Sequence, residues 1–341
     1  MRKYLLSGEK NFYKANLHTH TTVSDGKRTP EQVKELYKSK GYSVVAYTDH
    51  DVLLTHDDLN DSEFLALAGY EMEMSEAVPT VHGFKKTAHI CLISPTPIPP
   101  KQVCYHREKY MIGNGGLYRD KLNYDTTLPD YERSHTPECV NDIIKQGRDA
   151  GFFVTYNHPS WSLEDYSDYM SFHGMNAMEI YNGSCIASGY EEVDPRVYDD
   201  ILRGGERIYC IGADDNHNAH PDDSRRSDSG VAYTVINSPS LEYSDVFDAL
   251  EKGNFYASMG PEIKELYFEN GRIYVKCSCA DRIMCNFGVR RVGIAYRQAG
   301  KSLTSADFAV NPDTLYVRIT VIDKHGNRAD TNAYFTDELY K

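Results

Sequence analysis

"TPEQVKELYKSKGYSVVAYTDHD", residues 29–51, holds a complete unit of structure in two halves. In the first half Thr29 can cap a helix, Pro30 suits its first position and Gly41 ends it. Val33, Leu36 and Tyr37 give that helix one apolar stripe. The second half is a short apolar run rich in β-branched residues, which reads as a buried strand breaking into the polar residues Asp49, His50 and Asp51. The same grammar recurs along the chain. "EFLALAGYEMEM" and "TAHICLI" are strand-like, and "TPECVNDIIKQGRDAG" is a capped helix leading into "FFVTYNHPS". "MNAMEIYNG", "RIYCIGADDNH" and "VAYTVINS" are strands, "VDPRVYDDILRGG" is a helix, and "SLEYSDVFDALEKGN" is a helix capped by Ser240. Strands alternating with helices imply parallel β/α units. A closed barrel of such units brings its C-terminal strand ends to one mouth, whereas an open doubly wound sheet would spread them along an edge. The expected fold is therefore α/β, a closed barrel of β/α units over residues 1–260.

Upstream of that unit, "NLHTHTTVSDG" at 16–26 sets two histidines one residue apart with an aspartate five places on. On a strand His18 and His20 project to the same face, and Asp25 can return over them from a loop ending in Gly26. Read at strand ends throughout, the candidates are His18, His20, Asp25, Asp49, His50, Glu71, His89, His158, Asp214, Asp215 and His217. Imidazole mixed with carboxylate suits zinc, manganese or iron rather than calcium or thiol-seeking metals. So many ligands exceed the capacity of one ion and point to a multinuclear site.

The whole chain has 341 residues, 40% hydrophobic and 26% charged, with net charge −13. That acidity argues against a nucleic-acid binder, which needs a basic face, and against docking on anionic membranes. An acidic protein handling an anionic substrate needs a local positive source, which metal would supply. "MRKYLLSGEKNFYKAN" lacks the apolar core of a signal peptide, no stretch reaches membrane-spanning length, and eight scattered cysteines suit reduced thiols. The expected location is the cytoplasm. Cys277, Cys279 and Cys285 lack a C-x-x-C pair and read as buried strand cysteines.

Two segments break the rhythm. Residues 94–135 are rich in proline and glycine without sustained periodicity, either a lid or a surface excursion, the lid being favoured because the segment joins two site strands. Its tyrosines 105, 110, 118 and 124 can serve its own packing. From Glu262 onward "EIKELYFENGRIYVKCSC" alternates about Asn270-Gly271, and no helix signal follows. Residues 262–341 are expected to be a small β-sandwich module, hinged at Ser258–Pro261.

Taken in order, "HTHTTVSDG", "TDHD", "GYE", "AHICLI", "NHPSW" and "GADDNHN" resemble the PHP metallohydrolase superfamily, named for polymerase and histidinol phosphatase. "EIYNG" and "GNFYASMGPEI" look closest to its carbaryl hydrolase-like branch. The resemblance spans about residues 12 to 260. It implies a distorted (β/α)7 barrel with three divalent ions (Zn, Mn or Fe) held by His18, His20, Asp25, His50, Glu71, His89, His158, Asp215 and His217. By that pattern His18, His20, Glu71 and Asp215 hold one ion, Glu71, His89 and His158 a second, and Asp25, His50 and His217 the third. Glu71 would bridge, with Glu73 its alternative if the strand register slips.

Three ions with three ligand carboxylates and a bridging hydroxide leave a charge of about +2, which favours phosphate esters. The expected activity is hydrolysis of a small-molecule phosphate ester through a multinuclear metal-activated hydroxide, with Glu71, His158, Asp215 and His217 as catalytic residues. A carboxyl-ester or carbamate hydrolase and a non-catalytic metal-binding module are the alternatives. Glu179 and Asn182 are either substrate contacts or structural. Arg225 and Arg226 can bind phosphate, although a solvated loop fits them better. Asp49 and Asp214 either orient imidazoles or bond locally at strand ends. His56, His82, His106, His135, His173, His220 and His325 read as surface or loop residues.

Overall fold

The helix–strand unit that opened the reading forms as written. In a computed structural model that describes residues 2–341, the Thr29 hydroxyl accepts from the Gln32 amide, and the Gln32 side chain accepts from the Thr29 amide. This reciprocal cap satisfies two donors that a helix start leaves free. Gly41, with φ +78°, turns the chain out. Val33 and Tyr37 then pack on Val45, Tyr47 and Phe64.

In chain order the strands are β1 (Lys3–Leu6), β2 (Asn11–Asn16), β3 (Val44–Tyr47), β4 (Leu65–Ser75), β5 (Thr87–Ile93), β6 (Phe153–Asn157), β7 (Ala177–Asn182), β8 (Tyr209–Ala213), β9 (Tyr233–Ser238) and β10 (Phe255–Ser258). Between them lie α1 (Pro30–Ser39), α2 (Pro137–Asp149), α3 (Tyr166–Tyr169), α4 (Gly183–Ser188), α5 (Pro195–Arg203) and α6 (Tyr243–Glu251). The tail adds β11 (Ile263–Glu269), β12 (Arg272–Ala280), β13 (Arg282–Asn286), β14 (Val292–Tyr296), β15 (Leu303–Ala309), β16 (Tyr316–Ile322), β17 (Arg328–Thr331), β18 (Tyr334–Phe335) and the one-turn α7 (Thr336–Leu339), a helix that the sequence did not signal. At α6 the cap is Glu242, not Ser240, whose hydroxyl is drawn to Asp245 instead.

The chain is a mixed α/β protein with one large sheet, in which β2 to β8 lie side by side in sequence order. Not every unit is parallel. β2, β3 and β4 run parallel, as do β6, β7 and β8, but β5 is antiparallel to both neighbours and β9 is antiparallel to β2. The reason is the β4–β5 connection, an eleven-residue loop without a crossover helix, which permits only a return path. Alternate residues of the strands meet in one apolar cluster that includes Ala15, Val44, Leu67, Phe153, Ile211 and Phe255, and α6 packs Val246 and Leu250 against it.

The tail is joined to this sheet by strand pairing. β17 pairs with β10, and β1, from the start of the chain, pairs with β11. The β11–β12 turn at Asn270-Gly271 has both residues at positive φ, as a two-residue hairpin needs. The segment read as a hinge is hydrogen-bonded throughout, Met259 to Arg328 and Ser258 to both Pro261 and Gly260. Cys277 and Cys285 are buried, but Cys279 is exposed, because the β12–β15 register shifts between Lys276 and Ala280 and brings Ala280 rather than Cys279 to the buried face. Among the described residues no helix is long and apolar enough to cross a membrane.

Candidate metal centre

Backbone pairing continues past the strand ends and sets the candidate ligands side by side. The Asp215 amide donates to His18 O (3.0 Å) and the His20 amide to Asn216 O (3.1 Å), so the loop after β8 is laced to the loop after β2. The Thr48 amide donates to Thr19 O, and the Asp51 amide to Glu71 O, which carries the lacing across to β4. Glu71 therefore sits in mid-strand rather than at an end, and His89 lies near the start of β5. Because β5 is antiparallel, its beginning opens on the same mouth as the ends of its neighbours. His158 (φ +29°) and Asp215 (φ +50°) occupy left-handed backbone just beyond β6 and β8, the strained conformation that concentrates at functional sites. Gly26 is required: a Cβ there would lie 2.5 Å from His20 O, so only glycine lets the Asp25 loop close over the histidines.

All nine expected ligands converge. Glu71 Oε1 lies 3.1 Å from His18 Nε2, 2.9 Å from His89 Nδ1 and 3.5 Å from His158 Nε2. Its Oε2 lies 3.3 Å from His20 Nε2 and 3.2 Å from His50 Nδ1. One carboxylate thus faces five imidazoles, with each oxygen serving a different set. Asp215 Oδ1 is 3.3 Å from His18 Nε2 and 3.1 Å from His20 Nε2. Asp25 Oδ1 is 3.6 Å from His217 Nε2, 3.9 Å from His20 Nδ1 and 4.0 Å from His50 Nε2. His20 consequently belongs by position to the Asp25 group as well as to the His18 group. Glu73, the alternative bridge, is half-exposed and hydrogen-bonded to Ser75.

Outer partners fix the rings. Glu179 Oε1 lies 2.8 Å from His18 Nδ1, and Glu179 Oε2 accepts from the His158 amide. Asn182 reaches both Glu179 and Asp215. Both residues are buried and bonded to the candidate ligands, and neither lines the cavity on which those ligands open. Ser162 Oγ meets His158 Nδ1, and Asp215 O meets His217 Nδ1. Asp49 orients no imidazole: it accepts from the Thr21 and Ser24 amides and hydroxyls and so shapes the Asp25 loop. Asp214 likewise binds the amides of Gly230, Val231 and Ala232 and the Tyr37 hydroxyl.

The electrostatics of this cluster suit cations. Burial alone would lower His20, yet Asp215 and Glu71 outweigh it and raise the ring to about 10. Burial, then repulsion from His20, pushes His50 down to about 3. Burial would raise the Glu71 carboxyl, but His18, His89 and His50 hold it well below the usual range. His20 Nδ1, His50 Nδ1 and His89 Nε2 are buried without a hydrogen-bond partner. Buried nitrogens left unpaired are costly, and divalent ions of the zinc, manganese or iron type accept such nitrogens together with carboxylate oxygens. Donor atoms of His20, Asp25, His50 and His217 lie within 4.8 Å of one another, as do those of His18, His158 and Asp215, of His18, Glu71 and Cys91, and of Glu71, His89 and His158, so the residues fit bound metal.

No family model and no curated protein matches this chain. Among solved structures it is similar to a two-domain protein from Bacteroides vulgatus ATCC 8482 that contains a predicted PHP-like metal-dependent phosphoesterase. The TM-score is 0.45 and the identity 14%, over 93% of this chain and 92% of that one. It is also similar to an amidohydrolase from Chromobacterium violaceum with bound sulfate and no metal, with TM-score 0.39 and 17% identity over 60% and 87%.

The ligands open on a cavity of about 280 Å³ whose wall includes Ile112, Trp161, Ser184, Ser188 and Tyr190. Trp161 stands edge-on to His89 and His158, with ring centroids 5.5 and 5.2 Å away. These wall residues carried no sequence signal beyond the tryptophan of "NHPSW". Ile112 belongs to the 94–135 segment, and Asn114 beside it donates to Ser24 O, so the excursion does reach the site. Arg225 and Arg226 are exposed and do not line the cavity. A larger cavity of about 580 Å³ lies within the excursion and touches none of the ligands. His106 and His135, read as surface or loop residues, lie in loops, His106 buried and His135 half-buried, paired with Glu132 and Glu164.

Proposed function

We propose that this protein is a metal-dependent hydrolase that cleaves a phosphate ester of a small molecule. The observation carrying the reading is Glu71, a buried carboxylate whose two oxygens face five imidazoles, three of which have a nitrogen without a partner. We read the surrounding sheet as a distorted barrel and the cluster as a site for three divalent ions, zinc, manganese or iron. His18, His20, Glu71 and Asp215 would hold one, Glu71, His89 and His158 a second, and Asp25, His50 and His217, with His20 in reach, the third. When bound, such ions supply Lewis acidity and lower the pKa of water into the neutral range.

The chain's own residues do the rest. Glu71, His158, Asp215 and His217 keep their donor atoms fixed because their other faces are tied to Asn157, Ser162, Asn182 and the Asp215 carbonyl. Trp161 shields His89 and His158 from bulk water, which strengthens every charge interaction beneath it. Glu179 adds a fourth carboxylate behind His18. The positive charge left for substrate is therefore below the roughly +2 of a three-carboxylate site, still of the sign that attracts a phosphoryl oxyanion. The cavity accepts a small molecule, and with a net charge of −13 the chain offers no basic track for nucleic acid.

The test is turnover of nitrophenyl phosphate, bis-nitrophenyl phosphate and nitrophenyl acetate by protein loaded with Mn²⁺ or Zn²⁺. Phosphoester cleavage with competitive inhibition by inorganic phosphate is expected. Cleavage of the acetate alone, indifferent to phosphate, would instead establish the carboxyl-ester or carbamate reading, and metal uptake without any turnover the non-catalytic one.

A further inference from the structure

The metal cavity does not end at the ligands. Glu73 and Ile112 line it and also line a neighbouring cavity of about 400 Å³, whose far wall includes Ala77, Lys85, Tyr110 and Met111. The two form one groove with Glu73 and Ile112 at its waist. Its floor is the β4–β5 ladder, where Glu71 faces Cys91 and Ser75 faces Thr87. The Glu76 amide donating to Lys86 O carries the pairing one step further. Ser75 and Thr87, where the ladder ends, lie four residues along it from Glu71, at strand rise roughly 13 Å, and Lys85 stands two residues beyond Thr87.

The charges along this path are ordered. Lys86 is committed to Asp165 and Asp168 (2.7 and 2.6 Å), and Arg133 is buried against Asp51. Among the described residues Lys85 pairs with no carboxylate, and it is exposed to the groove. Between it and the metal cluster stand the carboxylates of Glu73 and Glu76 with the apolar side chains of Met111 and Ile112. Positive charge at both ends and negative charge between them repel a continuous polyanion but accept a molecule that is anionic only at its ends.

Resting on the phosphoester reading above, we infer that the substrate is an elongated phosphate ester whose alcohol carries a second anionic group, seated on Lys85 beyond an uncharged spacer that passes Glu73 and Ile112. The second group is a carboxylate or a phosphate, since a lysine ammonium is a point charge that accepts either.

Calorimetric binding of stable phosphonates to the manganese-loaded full chain tests this apart from turnover. The probes are decylphosphonate, 10-phosphonodecanoate, decane-1,10-bisphosphonate and the short 3-phosphonopropionate. Each long probe with a terminal anion is expected to bind about three- to fivefold tighter than decylphosphonate, the size of an exposed ion pair. The short probe gains nothing, and in Lys85→Gln the three long probes become equal. Which terminal anion binds better identifies the second group. Equal binding of all long probes to the native chain, no binding of any, or a preference that survives in Lys85→Gln overturns the inference. Nitrophenyl phosphate turnover without the preference overturns the groove alone, whereas the preference without turnover of any ester leaves the groove and removes the hydrolase.

Discussion

Two regions of this molecule bury charge, and they do so in opposite ways. At the seam between the sheet and the tail, Arg318 gives every nitrogen a partner: Nε and Nη2 donate to Asp199 on α5, and Nη1 donates to Asp330 and Thr320. Asp330 in turn accepts from Tyr181 on β7. At the mouth, five imidazoles crowd one carboxylate and three of their nitrogens make no hydrogen bond. Both regions are buried, and both take polar groups out of water at a cost that only partners can offset. A satisfied network holds elements together. An unsatisfied one keeps coordination capacity in reserve, which is the physical signature of a site rather than a strut.

The comparison breaks most visibly at Glu71. Replacing it by alanine is expected to remove more metal than replacing Asp25, because its two oxygens face separate sets of imidazoles. Activity should fall by more than about 100-fold, beyond what the loss of a ligand's outer partner causes. Elemental analysis after loading with Mn²⁺ or Zn²⁺ is the measurement, and equal loading of the Glu71→Ala and Asp25→Ala chains would count against a bridging role. The seam gives the next effect. Arg318→Ala leaves Asp199 and Asp330 buried without their cation and should cost about 3–5 kcal/mol in urea unfolding. Metal stoichiometry of the folded fraction should not change, and a loss below about 1 kcal/mol would show that the tail is held by apolar packing instead.

The smallest effect sharpens the boundary between strut and site. Glu192 accepts from the Ser160 and Trp161 amides and so positions the loop that follows His158. Burial, then the neighbouring Asp194, raises its carboxyl from 4.5 to about 8. The folded chain therefore holds a proton that the unfolded chain releases above about 4.5, so stability attributable to Glu192 falls as pH rises towards 8. Glu192→Gln should melt at a temperature that declines less between pH 5 and pH 8.5 than that of the native chain. Parallel melting curves for the two proteins would mean that Glu192 keeps an ordinary carboxyl.

The candidate ligands were legible because each carries its chemistry in its own side chain and most stand in a short local pattern, "HTH", "TDHD", "NHP" or "DDNH". The supports were less legible. Glu179 acts on His18 across 161 positions of sequence, so nothing near it announces the contact. Asp49 and Asp214, beside ligands in sequence, turned out to bind backbone amides, since a buried carboxylate goes to the nearest free N–H. His135 is a loop residue, as its sequence suggests, but only tertiary packing sets Glu164 beside it.

What the sequence determined by itself is local: α1 and its cap, the order of strands, the hairpin at Asn270-Gly271 and the identity of the metal-capable residues. Periodicity, turn chemistry and side-chain type act over a few residues, and the chain states them directly. Strand direction, the joining of the tail through β10 and β17, the burial of Glu179 and the groove leading to Lys85 were decided by the tertiary structure alone. Each depends on which distant segments meet, and pairing between segments far apart in the chain follows from the packing of the whole sheet rather than from the residues of any one strand.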